Sequence, residues 1–186
     1  MIKIFSFQPT LFNNNGDQGN LEVLQRVFES AETSWGEASL EDADFVLVGD
    51  CSIAVLEHHK DELLAMTENL RTRLDAGMPT LLVGRSYELL APHLGIPLQH
   101  DKRVSKFLIE RSDGVEAFGY HNSEVVSPRL FVSGNFIGTT LFGPLLAKNP
   151  EITERLAQSW GVTLDSEFWN VAKRYALKVR EVTSFD

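Results

Sequence analysis

Two short apolar runs, each closed by a glycine, constrain this chain more than any other feature. Phe45-Val46-Leu47-Val48 ends in Gly49-Asp50, and Thr80-Leu81-Leu82-Val83 ends in Gly84. A strand with one wet face alternates apolar and polar residues. A run without alternation is buried on both faces, as strands are in parallel sheets covered by helices. Between the two runs, Leu56, Leu63, Leu64, Leu70 and Leu74 form a helical pattern that Gly77 and Pro79 stop. Strand, helix, strand is the rhythm of a parallel α/β sheet.

The same rhythm extends to both sides. Ile2 to Phe7 reads as a first strand, followed by a loop rich in asparagine and glycine, 13–20. Asn20 is placed to cap a helix whose apolar face is Leu21, Leu24, Val27 and Phe28. After Gly95 the texture changes to short alternating runs, 104–109, 130–132 and 136–140, which read as antiparallel strands. Two helical stretches close the chain, 151–160 and 166–182. In the second, Phe168, Val171, Ala172, Tyr175 and Val179 recur at helical spacing, the pattern of a packed C-terminal helix. No repeat or low-complexity linker is visible, so the 186 residues are expected to form a single domain, 1–186.

Composition excludes several function classes. The formal charge is −9 and the seventeen Lys and Arg residues form no basic stripe, which speaks against nucleic-acid binding. No apolar run approaches the roughly 18–20 residues of a membrane helix, so no membrane insertion is expected. The start of the chain lacks the features of a signal peptide, which points to the cytoplasm. Cys51 is the only cysteine, and no C-x-x-C or H-E-x-x-H pairing is present. Neither a disulfide, a metal site nor a cofactor is expected.

In open parallel sheets, ligands bind outside the carboxyl ends of the strands, here the loops after Phe7, Val48, Val83 and Thr140. The third of these, Gly84-Arg85-Ser86-Tyr87-Glu88-Leu89-Leu90, is a sharp strand-to-helix turn of the kind that carries a nucleophile in hydrolases. Four segments together resemble the cobyric-acid-synthase-like branch of the class I glutamine amidotransferases, most closely the amidotransferase subunit of lipid II isoglutaminyl synthase. They are Asn13 with Gly16-Asp17-Gln18-Gly19-Asn20-Leu21, where Gln18 replaces an arginine; Phe45 to Asp50; Pro79 to Leu90, where Glu88 replaces a glutamine; and Gly138 to Pro150. A Lys102-Arg103 pair before a strand adds support. The resemblance implies a three-layer α/β sandwich with a central mostly parallel sheet and an antiparallel extension.

The departures from that family fall on its chemistry. Its elbow cysteine, which attacks the carboxamide of glutamine, corresponds here to Gly84. Its histidine base, which precedes Gly-Pro-Leu-Leu, corresponds to Phe142. In its glycine-rich oxyanion loop this chain has Gly49-Asp50, and the carboxylate opposes developing negative charge. Acyl transfer needs nucleophile and base within hydrogen-bond reach, so loss of both predicts a protein without glutaminase activity. Two residues are candidates for relocated chemistry: Cys51, in the loop facing the elbow, and His121, offset by two positions from another histidine-bearing motif of the family. Gly49, Asp50, Ser86, Tyr87 and Arg103 are candidate ligand contacts, with Arg103 implied by the resemblance to grip an amino-acid carboxylate. Three functions follow as expectations: a non-catalytic scaffold or regulatory subunit for a Mur-ligase-like partner in peptidoglycan chemistry, an amino-acid-binding module, or an enzyme working through Cys51.

Overall fold

The computed structural model describes residues 1–183. The chain enters through β1 (Ile2–Ser6), α1 (Gly19–Ser30), β2 (Trp35–Glu37) and β3 (Phe45–Val48). Helices α2 (Ile53–Ala65) and α3 (Thr67–Asp75) lead to β4 (Thr80–Val83) and α4 (Arg85–His93). A long hairpin follows, β5 (Gln99–Ser112) and β6 (Val115–Ser127), and then β7 (Leu130–Ser133), β8 (Phe136–Thr139) and β9 (Leu141–Phe142). The chain closes with α5 (Leu145–Lys148), α6 (Pro150–Ser159) and α7 (Glu167–Thr183).

The main sheet has the order β2-β1-β3-β4-β8-β7, parallel throughout except where β7 runs against β8. A second, antiparallel sheet has the order β5-β6-β9. This is the mixed α/β class that the sequence predicts. The two apolar runs are the central strands β3 and β4, and all eight of their residues are buried. Leu47 and Leu81 pack on one side with Leu24, Val27 and Phe28 of α1 and Trp169 of α7. Val46, Val48 and Leu82 pack on the other with Leu63, Leu70, Tyr87 and Leu90 of α2, α3 and α4.

Several expectations change. Asn20 does not cap α1 but lies inside it, where its amide bridges Asp17 O (2.8 Å) and Leu146 N–H (2.9 Å); Gln18 stands at the cap position, and its side chain makes no capping bond to the helix. The helical pattern 56–74 is two helices, broken at Met66. The run 136–140 joins the main sheet parallel to β4 and is antiparallel only toward β7. The short edge strand β2 and most of β6 had no clear pattern of their own. Of the expected stripe on α7, only Ala172 packs on the core. Trp169 and Ala176 are buried, whereas Phe168, Val171, Tyr175 and Val179 are exposed.

Two interactions fix the strands that carry the loops of interest. Gly138 on β8 has no Cβ because the ring of Tyr87 lies 2.3 Å from where one would be, and this lets α4 lie close on the sheet. Arg73, almost fully buried, donates to Ala43 O (2.8 Å), Pro79 O (2.8 Å) and Thr80 Oγ1 (3.0 Å) at the entry of β3 and β4. Burial lowers its pKa from the ordinary arginine value. Removing it strands buried carbonyls with no donor. Arg73→Ala should therefore lower unfolding stability by about 2–4 kcal/mol, read from urea denaturation.

Candidate functional site

Gly84 joins β4 to α4 with φ +59° and ψ −127°, a conformation that side-chain-bearing residues adopt only under strain. Its N–H donates to Thr139 O (2.8 Å), and its carbonyl accepts from Glu88 N–H (2.9 Å) as the first bond of α4. The turn is therefore the sharp strand-to-helix elbow expected from the sequence. Its surroundings are closed. A Cβ at residue 84 would lie 2.4 Å from Asp50 Oδ1 and 2.7 Å from Phe142 Cε1, well inside van der Waals contact.

Asp50 reaches this position from the end of β3 and is fully buried. Its Oδ1 accepts from the Arg85 backbone N–H at 2.9 Å, and its Oδ2 accepts from the side-chain amides of Asn15 (2.7 Å) and Asn14 (3.2 Å). The Arg85 guanidinium stands 3.5 Å from the same oxygen and donates to Cys51 O (2.9 Å). A carboxylate at the N-terminus of α4 is electrostatically favourable, since the first free N–H groups and the helix dipole both attract negative charge. In elbow-type acyl transferases, the N–H of the residue after the nucleophile donates to the oxyanion. Here that donor is already engaged by Asp50.

Asp50 is held in turn by Asp17. Its N–H donates to Asp17 Oδ2 at 3.0 Å, while Asp17 Oδ1 is buried with no hydrogen-bond partner. Burial, aided by the adjacent Asp50 carboxylate, raises the Asp17 pKa to about 7. Gln18 N–H donates to Asn13 Oδ1 (3.0 Å), Lys148 Nζ donates to Phe142 O (2.7 Å), and Asn149 bonds both N–H and C=O of Phe118 on β6. The motif residues of the asparagine-rich loop and of the 138–150 segment thus bond to one another or to their neighbours in the fold. The sequence reading did not single out Asn14, Asn15, Asp17, Arg85 or Lys148 as site residues. Their only signal was membership of motifs read for other residues.

The remaining predicted residues separate. Ser86 Oγ donates to Gly49 O (2.6 Å) and Tyr87 OH to Pro128 O (3.1 Å), so both hydroxyls are engaged by the fold. Gly49 is required by space, since a Cβ there would lie 2.1 Å from Phe12 O. Arg103 is half-exposed on β5, donating to Asn122 O (3.2 Å) and facing Glu124 at 3.8 Å. Cys51 is fully buried and its thiol is pushed up to about 12, chiefly by burial and next by Asp50. A thiol held there carries almost no thiolate at neutral pH. His121 is buried on β6 with Nδ1 2.9 Å from Thr140 Oγ1 and Nε2 unpartnered. Burial first, and then Arg129, lowers its pKa. Among the described residues no hydrogen bond joins Cys51 to His121, and no group of His, Cys, Asp and Glu side chains is arranged to hold a metal. No described helix is long and apolar enough to cross a membrane.

No family model matches the sequence, and no curated protein matches it. Among solved structures the chain is similar to a glutamine amidotransferase from Thermotoga maritima, with a TM-score of 0.51 and 15% sequence identity over 86% of this chain and 82% of that one. Likeness at this identity shows the fold: a glutamine-amidotransferase-like α/β sandwich.

Two outcomes test the site. Gly84→Ala should cost about 3 kcal/mol or more from steric conflict and backbone strain. The Asp50→Ala, Gly84→Ala pair should cost less than the sum of its singles in denaturant unfolding, because the first change removes the Asp50 oxygen that the new Cβ meets most closely, leaving only the contact with Phe142. Asp17 gives a pH signature. Its folded pKa exceeds the unfolded carboxylate value, so its contribution is fully present below about pH 4 and is lost as pH rises through about 7. Asp17→Asn should therefore be less sensitive than the parent chain to a rise from pH 5 to pH 8, as followed by thermal midpoints.

Proposed function

We propose that this chain is a glutamine-amidotransferase-like subunit without glutaminase chemistry, acting as a scaffold or regulatory partner for a ligase-type protein. The observation that carries the reading is the Asp50 carboxylate. It accepts the Arg85 N–H at 2.9 Å and stands 2.4 Å from the place of any Cβ on residue 84. The space where a nucleophile's side chain would start and the donor an oxyanion would need are taken by the same anion. Stabilising a tetrahedral oxyanion there would require displacing a buried carboxylate from its amide, asparagine and arginine partners. Phe142, at the position where the family resemblance implies the histidine base, offers no proton acceptor.

The finer reading rests on the motifs. Gly-Asp-Gln-Gly-Asn and Gly-Pro-Leu-Leu-Ala-Lys-Asn-Pro support a place in the cobyric-acid-synthase-like branch, nearest in kind to the amidotransferase subunit of lipid II isoglutaminyl synthase. On that reading the partner is a Mur-ligase-like protein of cytoplasmic peptidoglycan synthesis. The scaffold role is favoured over amino-acid binding because the hydroxyls of Ser86 and Tyr87 already donate to backbone carbonyls. It is favoured over chemistry at Cys51 because that thiol is buried and strongly disfavours ionisation.

Purified chain incubated with glutamine should release ammonia no faster than buffer alone, and Gly84→Cys should leave that result unchanged. Turnover at ordinary enzymatic rates, about 1 s⁻¹ or more, would overturn the proposal. Affinity co-purification from the native cell should recover a ligase-like protein in stoichiometric amount. Recovery of the chain alone would remove the scaffold role.

A further inference from the structure

A second recess lies away from the elbow, between the edge strand β2 and helix α1. Parallel pairing sets Trp35 beside Ile2 and Glu37 beside Ile4, so all four side chains project toward the α1 side of the sheet. There they meet Leu21, Glu22 and Gln25 on α1 across a recess of about 420 Å³. That volume falls within the roughly 300–1,000 Å³ of ordinary small-molecule sites. Its floor is apolar, Ile4 and Leu21, and Trp35 forms a half-buried aromatic wall at one end. At the other end Gln18 is fixed by donating its amide to Ser6 Oγ at 3.0 Å.

The charge of this recess is one-sided. Glu22 on α1 and Glu37 on β2 both line it, and among the described residues neither forms an ion pair. One N–H of the Gln18 amide is held by Ser6, which leaves its carbonyl oxygen as an acceptor and its second N–H as a donor. No lysine, arginine or histidine lines the recess. Gln25, Ser6 and Trp35 add neutral donors, but the two carboxylates have no cationic side chain in the lining to balance them, so a positively charged ligand matches the recess better than a neutral polyol. An ammonium brings three donors and no acceptor, a guanidinium five and none. An aromatic face beside such a cation adds further attraction, and the apolar floor suits the methylene stem that joins two such groups.

We infer that the recess between β2 and α1 binds an aliphatic organic cation, an alkyl diamine or an alkylguanidinium, with the stem on Ile4 and Leu21 and the charge shared among Glu22, Glu37 and Trp35. The inference stands apart from the elbow, and holds whether or not that site is catalytically silent. The net charge of −9 raises the local concentration of such ligands and makes their binding salt-dependent.

Titration of the full chain with cadaverine and with agmatine tests it, by calorimetry and by the indole N–H resonance of Trp35. Saturable binding that shifts this resonance and weakens with added salt is expected. Glu22→Gln with Glu37→Gln should weaken it at least about tenfold while leaving the unfolding midpoint unchanged, as both side chains are exposed. Trp35→Leu is the second variant and should weaken binding through loss of the aromatic wall. The inference is overturned if neither cation saturates, if the double glutamine variant binds as the parent does, or if 1-pentanol or glucose moves the Trp35 resonance equally.

Discussion

A single buried carboxylate organises the carboxyl end of the sheet. Asp50 ends the β3 loop, and its two oxygens collect a backbone amide from α4, two asparagine side chains from the loop after β1 and an arginine. Burying a carboxyl group is expensive unless its polar atoms are matched, and here both Asp50 oxygens have donors. The consequence is mutual definition. Asp50 needs the free N–H at the start of α4, and the elbow needs a residue without a side chain, because the carboxylate and Phe142 fill the space beside it. Gly84 and Asp50 are thus two halves of one arrangement rather than separate departures from a catalytic pattern.

That coupling bears on how the motifs are read. Asp17 and Asn20 belong to a segment that looks functional, yet one receives the Asp50 N–H and the other receives Leu146 N–H. Asn149, at the end of the longest motif, ties α5 to the second sheet through both polar groups of Phe118. Side chains that hold loops to helices in this way are required by the fold itself, whatever chemistry the site performs.

Much of this architecture was legible in the chain. Phe45 to Val48 and Thr80 to Val83 read as doubly buried strands because nothing polar interrupts them, and the elbow at Gly84 followed from the glycine that ends one of them. What stayed hidden depends on long-range pairing. Three residues around Trp35 carry too little pattern to announce an edge strand, and no local signal says that β8 joins β4 in parallel. The stripe on α7 misled for a physical reason. Periodicity reports that a helix has an apolar face but not which body covers it, and in this chain Trp169 and Ala176 turn inward while Phe168, Val171 and Tyr175 face outward. Within the site, the place of Asp50 beside the elbow was legible, but its partners were not, since hydrogen bonds across 35 or 36 positions leave no trace in local sequence.

Asp17 shows the same arrangement from its weaker side. One of its oxygens is satisfied by the Asp50 amide and the other is buried alone, so its ionised form is poorly supported. Two neighbouring carboxyls in one enclosed space rarely ionise together. The donors gather on one partner: Asp50 has the Arg85 N–H, two asparagine amides and the Arg85 guanidinium around it, whereas Asp17, pushed to about 7, remains protonated over part of the physiological range. A protonated Asp17 still accepts the Asp50 N–H, so the contact between the loop after β1 and the end of β3 does not require a second buried anion. The contacts that hold Asp50 in place are thus the same ones that fill the space beside Gly84.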